Sequence, residues 1–143
     1  MQPPSVGERR GSAWLTVDQM LIDRFAEATG DRAFIHVDPE HAARTPLGSA
    51  IAQGFLLLSL VAQLHTAISP PPAGTRFGLN YGFDRLRFIR PVPAGSRIRL
   101  ISTLTSLREK APGRLQAYFF IEIELMHSDE PALAADWIVQ YAA

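Results

Sequence analysis

Residues 25–60 read FAEATGDRAFIHVDPEHAARTPLGSAIAQGFLLLSL, and the rest of the chain is organised around them. The stretch begins inside an amphipathic helix, with Met20, Leu21, Phe25 and Ala28 at helical spacing. Gly30 is the expected stop of that helix, because a glycine adopts the left-handed cap conformation without strain. Asp31 and His36 then fall in what reads as a short irregular loop. A second helix start follows at Asp38-Pro39, where Asp38 caps free amides and Pro39 suits the first helical position. Gly48 and Gly54 bracket the entry to a third helix, apolar on nearly every face. A carboxylate and an imidazole are thus brought beside glycines at the mouth of a buried helix, an arrangement suited to acid/base chemistry.

Working outward, 143 residues suit a single domain, residues 1–143, with a sizeable core. Hydrophobic residues make up 47% and charged residues 20%, an ordinary globular composition. A net charge of zero argues against a nucleic-acid partner, for which a basic balance is expected. The chain has no cysteine, which removes disulfides, thiol nucleophiles and cysteine metal sites and accords with a cytoplasmic location. The first residues, MQPPSVGERRGSAW, lack the apolar run of a leader peptide, and Ser59, Gln63 and His65 interrupt the longest apolar helix, so no membrane association is expected. Charge is uneven: between Thr75 and Leu115 there are nine basic residues, eight of them arginine, against Asp84 and Glu109. Such a stretch reads as arginine stems lying over a sheet face, or as a surface for a phosphate-bearing ligand.

In chain order, residues 1–10 look loose and residues 11–17 form a short strand with Trp14 half-buried. A helix over 18–29 follows, capped by Thr16 or Asp18, then a short helix near 39–43. The central helix spans 54–69; Phe55, Leu56, Leu57, Leu58, Leu60, Val61 and Leu64 surround it, so burial on all sides is expected. Pro70, Pro71, Pro72 and Gly74 end it. Everything after Thr75 reads as strand: 77–89, closed by Pro91-Val92-Pro93-Ala94-Gly95; 96–107, with Ile98, Leu100 and Leu104 on one face; 115–126, with Phe119, Ile121, Ile123 and Leu125 inward; and 133–141, with Trp137, Val139 and Tyr141 in step. Consecutive strands joined by tight turns imply antiparallel pairing. The fold class is therefore α+β, a curved antiparallel sheet wrapped around a long central helix, with open edges that a second copy of the chain would cover.

The motif FAEATGDRAFIHVDPEHA followed by IAQGFLLLSL, with NYGFDRLRFIRPVPAGSRIR further on, resembles the MaoC-like, R-specific enoyl-CoA hydratase family of the hotdog fold, and within it the nodulation-protein-N-like branch. The resemblance runs from about Val6 to Tyr141. It implies reversible hydration of a trans-2-enoyl thioester to an (R)-3-hydroxyacyl thioester in a homodimer, the acyl group carried on coenzyme A or acyl carrier protein, without a metal or other cofactor. Asp31, His36 and Gly54 match the family motif; Ala33-Phe34 and Gln53 depart from it, standing where the family commonly has Asn-Pro or Gln-Trp and a histidine.

That reaction needs a base for water, an acid for the α-carbon, and stabilisation of charge on the carbonyl oxygen. A histidine such as His36 suits proton exchange at cellular pH; Asp31 polarises the same water or carries a proton itself, and the two are expected to act jointly on one water. The Gly54 amide at a helix N-terminus suits the oxyanion, a donor typically worth about 3–4 kcal/mol in the barrier; its alternative role is close packing of helix on sheet. Ser59 is a further candidate for holding the water, although serines often bond back to the preceding turn. Phe34, Gln53, Phe55, Asn80, Tyr81 and Phe83 are candidate substrate contacts, with Gln53 expected on a polar rim and the aromatics equally suited to a core. His41, His65 and His127 read as structural. The group His36, Asp38, Glu40 and His41 has ligand chemistry, but helix-start roles account for Asp38 and Glu40. An acyl-CoA thioesterase on the same fold, or a non-catalytic acyl-thioester-binding protein, are the competing readings; thiol release from a saturated acyl-CoA, or binding without turnover, distinguishes them.

Overall fold

A computed structural model describes all 143 residues. Two short strands, β1 (Arg9–Gly11) and β2 (Leu15–Val17), lead into helix α1 (Gln19–Thr29), two short helices α2 (Phe34–Val37) and α3 (Pro39–Ala43), the central helix α4 (Gly54–Thr66), and four long strands. These are β3 (Phe77–Phe88), β4 (Ser96–Ala111), β5 (Arg114–Leu125) and β6 (Leu133–Ala142). They form one antiparallel sheet in the order β1-β4-β5-β6-β3, with β2 also paired to β4.

Local chemistry sets the helix ends. The Asp18 carboxylate accepts the Leu21 amide 2.8 Å away and starts α1. Gly30, at φ 82°, ends it and donates its amide to the Ala26 carbonyl. Asp38 caps α3 through the His41 amide, with Pro39 next. Pro112-Gly113 closes the β4–β5 hairpin, Gly113 taking a positive φ of 74°.

Alternation along the strands delivers one apolar face to α4. Ile98, Leu100 and Leu104 from β4, Phe119, Ile121 and Ile123 from β5, and Trp137, Val139 and Tyr141 from β6 pack against Leu56, Leu57, Leu60, Val61 and Leu64. No helix is long and apolar enough to cross a membrane.

Several expectations are corrected. The amino-terminal segment is not loose throughout: residues 9–11 form β1, and Arg10 reaches the Ile68 carbonyl at 2.8 Å, past the end of α4. The expected strand over 11–17 is broken, leaving β2 as a separate three-residue piece. His36 is not in an irregular loop but in α2. The four long strands are antiparallel but not a simple meander, since β3 pairs with β6 rather than with β4. The reason lies in Pro91–Gly95. Two of its residues have no N–H for a ladder, and the segment pairs instead with residues 50–52, through Ala52 N–H to Val92 O and Ala94 N–H to Ala50 O. Val92 is fully buried there, and the chain crosses instead of turning back.

The central helix ends at Thr66 rather than 69, and it is buried on one side only. Phe55 is 65% exposed, and Ser59, Ala62 and Gln63 continue an open face. The open face adjoins β3, the edge strand, along which Phe77, Leu79 and Tyr81 are exposed.

Most of the arginines have local roles. Arg85 pairs with Asp136 at 2.7 Å and Arg99 with Glu124 at 2.6 Å, Arg99 also covering the Trp14 ring. Arg90 bonds Ser128 and Glu130, and Arg108 lies over Tyr118.

Candidate active site

The turn after α1 presents Asp31. Gly30 reverses the backbone, the Asp31 amide meets the Thr29 hydroxyl at 3.3 Å, and Arg32 grips Glu27 through two hydrogen bonds. The one-turn helix α2 then carries His36 inward, where it is only 8% exposed. Gln19 ties the two helices together, its amide donating to the His36 carbonyl at 2.7 Å.

Residues 50–52 form the other wall. The Ile51 amide donates to the Ile35 carbonyl, and the Ile51 carbonyl faces His36 Nδ1 at 2.7 Å. A carbonyl only accepts, so Nδ1 carries a proton, and in the neutral ring the lone pair is on Nε2. That Nε2 is turned toward Asp31 Oδ2, 4.0 Å away. The separation is too long for a direct hydrogen bond and leaves both atoms able to bond a third group. The Asp31 side chain is half-exposed, so this acid–imidazole pair opens to solvent on one side.

Two residues further along, Gln53 is the N-cap of α4 and Gly54 its first residue. First-turn amides have no acceptor within their own helix and point outward from its positive end. Gly54 also has a packing reason to be glycine: a Cβ there would lie 3.0 to 3.3 Å from the Phe88 ring. Gln53 is not a rim residue. It is 1% exposed and donates to the Ile22 carbonyl of α1 at 3.1 Å, joining the start of α4 to α1, while its Oε1 has no protein partner. That tie is a long-range contact with no local signature.

The remaining candidates divide. Ser59, Asn80 and Phe83 line one cleft of about 210 Å³ between α4 and β3, with Leu58, Val61, Ala62 and Trp137. The Ser59 hydroxyl donates to the Phe55 carbonyl at 2.7 Å, the back-bond common for helical serines. Phe34 stacks on His41, ring centres 4.0 Å apart, which gives His41 a partner that the sequence did not show. Phe55 meets the Phe88 ring edge-on, and Tyr81 is exposed on β3. Sequence reasoning missed the Ile51 carbonyl and Gln19, which bear on His36 through backbone and side-chain bonds that no motif marks.

An antiparallel sheet curved around one helix, with an acid and an imidazole where that helix begins, defines a hotdog-fold protein. Solved structures carry the same fold: "Monoamine oxidase regulatory protein" of Archaeoglobus superposes with a TM-score of 0.82 at 25% identity, covering 99% of this chain and 96% of that one. The (R)-hydratase from A. caviae involved in PHA biosynthesis superposes with a TM-score of 0.79 at 26% identity, covering 97% and 98%. The "MaoC like domain" model matches residues 2–117, and the chain belongs to that family of dehydratases and hydratases. It is 43% identical over 138 residues to Nodulation protein N of Rhizobium leguminosarum, covering 95% of this chain and 86% of that protein. It is 41% identical over 140 residues to 3-hydroxyacyl-thioester dehydratase Z of Mycobacterium tuberculosis, covering 97% and 92%.

Proposed function

We propose that this protein is an (R)-specific hydro-lyase that reversibly adds water to a trans-2-enoyl thioester carried on coenzyme A or acyl carrier protein. The observation that carries the reading is the His36 geometry: Nδ1 is anchored on the Ile51 carbonyl, so a basic Nε2 faces Asp31 across 4.0 Å. One water fits between them, donating one proton toward each. His36 Nε2 removes a proton as the water oxygen bonds to the β-carbon. The electron pair of the double bond moves toward the thioester oxygen, and a proton returned from the acid–imidazole pair to the α-carbon completes the addition. The Gly54 amide, at the positive end of α4, donates to that oxygen in this reading. In the reverse direction the same groups expel water from a 3-hydroxyacyl thioester. The dehydratase of M. tuberculosis and the (R)-hydratase of A. caviae to which the chain is similar support this class.

The active form is a homodimer joined through the edge strand β3. Phe77, Leu79 and Tyr81 are each more than half exposed there, beside the open face of α4, and strand pairing between copies would satisfy the free edge.

The test follows loss of the conjugated-thioester absorbance on adding crotonyl-CoA, with chiral analysis of the product. Wild-type protein should form the (R)-3-hydroxy product. Asp31→Asn and His36→Ala should each lose about 100-fold or more in kcat. Full activity in both variants would refute the site, and an (S) product the stereochemistry.

A further inference from the structure

The last turn of the central helix and the residues just past it carry two polar groups that hydration does not use. His65 and Ser69 are one turn apart, the Ser69 amide donating to the His65 carbonyl at 2.8 Å. They are 4% and 5% exposed. Neither ring nitrogen of His65, nor the Ser69 hydroxyl, has a hydrogen-bond partner in the protein. The imidazole is held edge-on between Phe119, 4.5 Å away, and Trp137, 4.9 Å away. Leucine and alanine would suit these surroundings better, since an unpaired buried polar group is a net cost to folding.

Both residues border one cavity of about 300 Å³, walled further by Ala62, Asn80, Trp137 and Tyr141. Ala62, Asn80 and Trp137 also line the cleft beside Ser59 and Phe83, so the two spaces adjoin along α4. At about 1.5 Å per residue, His65 lies about 16 Å along the helix from Gly54. The cleft beside Leu58 and Ser59 lies about one turn on from Gly54, so an acyl tail that followed α4 from a thioester at Gly54 would reach it first and this cavity next. Burial pushes the His65 pKa down to about 4, so the ring is neutral at cellular pH and offers one donor and one acceptor. The Ser69 hydroxyl offers the same. A neutral hydroxyl or carbonyl satisfies such a pair; a carboxylate would bring an uncompensated charge into an aromatic pocket.

We infer that His65 and Ser69 form a polar subsite at the inner end of the acyl groove, selecting acyl thioesters with a hydroxyl or keto oxygen on the distal part of the tail. This rests on the thioester reading above. A plain alkyl tail at that depth leaves both polar groups desolvated and unpaired. An oxygenated tail pairs them, and sites built to bond a hydroxyl discriminate strongly against the analogue lacking it.

The test is binding, measured calorimetrically with saturated ligands so that it does not depend on turnover. Dodecanoyl-CoA is compared with a series of hydroxydodecanoyl-CoAs whose hydroxyl is moved along the distal half of the chain. Wild-type protein should bind at least one hydroxylated member about tenfold more tightly than dodecanoyl-CoA. His65→Leu should abolish or invert that preference, and Ser69→Ala should reduce it. The readout is a ratio between matched ligands, which partial misfolding does not reverse, and Ser69→Ala carries the test should His65→Leu fail to fold. Dodecanoyl-CoA binding at least as tightly as every hydroxylated member, no measurable binding of any member, or an unchanged preference in both variants would overturn the inference. Turnover of enoyl thioesters without hydroxyl preference defeats this inference alone; hydroxyl preference without turnover defeats the hydratase reading alone.

Discussion

Replacing His65 by leucine while lowering the pH isolates the energetic consequence of burying an imidazole among aromatic rings. In the unfolded chain this histidine titrates near its ordinary value of about 6.5; in the fold, desolvation pushes it down to about 4. Between those values the unfolded state binds more protons than the native state. Stability is therefore fully retained above about pH 7 and falls as the pH drops through the window, the full loss being reached below about pH 4. The separation corresponds to about 3 kcal/mol in total, and to about 2 kcal/mol between about pH 7.5 and about pH 5. His65→Leu removes the titrating group at nearly constant volume, so acidification should improve the variant relative to wild type by that amount. Urea unfolding followed by fluorescence of Trp14 and Trp137, at one protein concentration and several pH values, measures it. At about 3 °C per kcal/mol, thermal midpoints should diverge by about 6 °C. Curves that stay parallel within about 0.5 kcal/mol would show that this ring is neutral for some reason other than burial, or protonates without cost.

Two further outcomes follow from the packing. Gly54→Ala puts a methyl group 3.0 to 3.3 Å from the Phe88 ring, and should cost about 1–2 kcal/mol of stability; adding Phe88→Leu should recover about half, and strict additivity in the double-mutant cycle would refute the contact. Leu79→Lys places a charge on the exposed edge strand and should shift the sedimenting species from dimer to monomer; an unchanged dimer would place the interface elsewhere.

What could be read from the sequence was local in origin. Asp18, Gly30, Asp38-Pro39 and Pro112-Gly113 act within a turn of their own positions, and they mark helix ends and a hairpin as the residue types predict. Alternation in residues 96–141 carries the inward faces of three strands, because a buried sheet face imposes a two-residue period. The partner of β3 was not legible, since strands of similar composition differ as partners only through the path of the loop between them. Gln53 was misjudged for a related reason. A glutamine before a helix reads as solvent-facing until α1 is packed over it. His65 reads as structural from sequence; that neither of its nitrogens has a protein bond is visible only in the fold. The motif singles out Asp31 and His36 as a pair, and the fold brings their side chains to 4.0 Å, but the carbonyl that meets the imidazole Nδ1 belongs to Ile51 and leaves no mark in its side chain.

The pairing of β3 with β6 has a bearing on how the chain comes off the ribosome. Phe77 aligns with Ala142 and Phe88 with Leu133, so β3 is synthesised well before the strand that will hold it. During that interval its aromatic residues have only α4 and nascent polypeptide for company. Hairpin β4–β5 closes through neighbours in sequence, whereas the sheet's outer rail must wait for the last strand. Truncation within residues 133–142 would leave that rail unattached, and newly made chains would be drawn into clumping before they ever reached the native state.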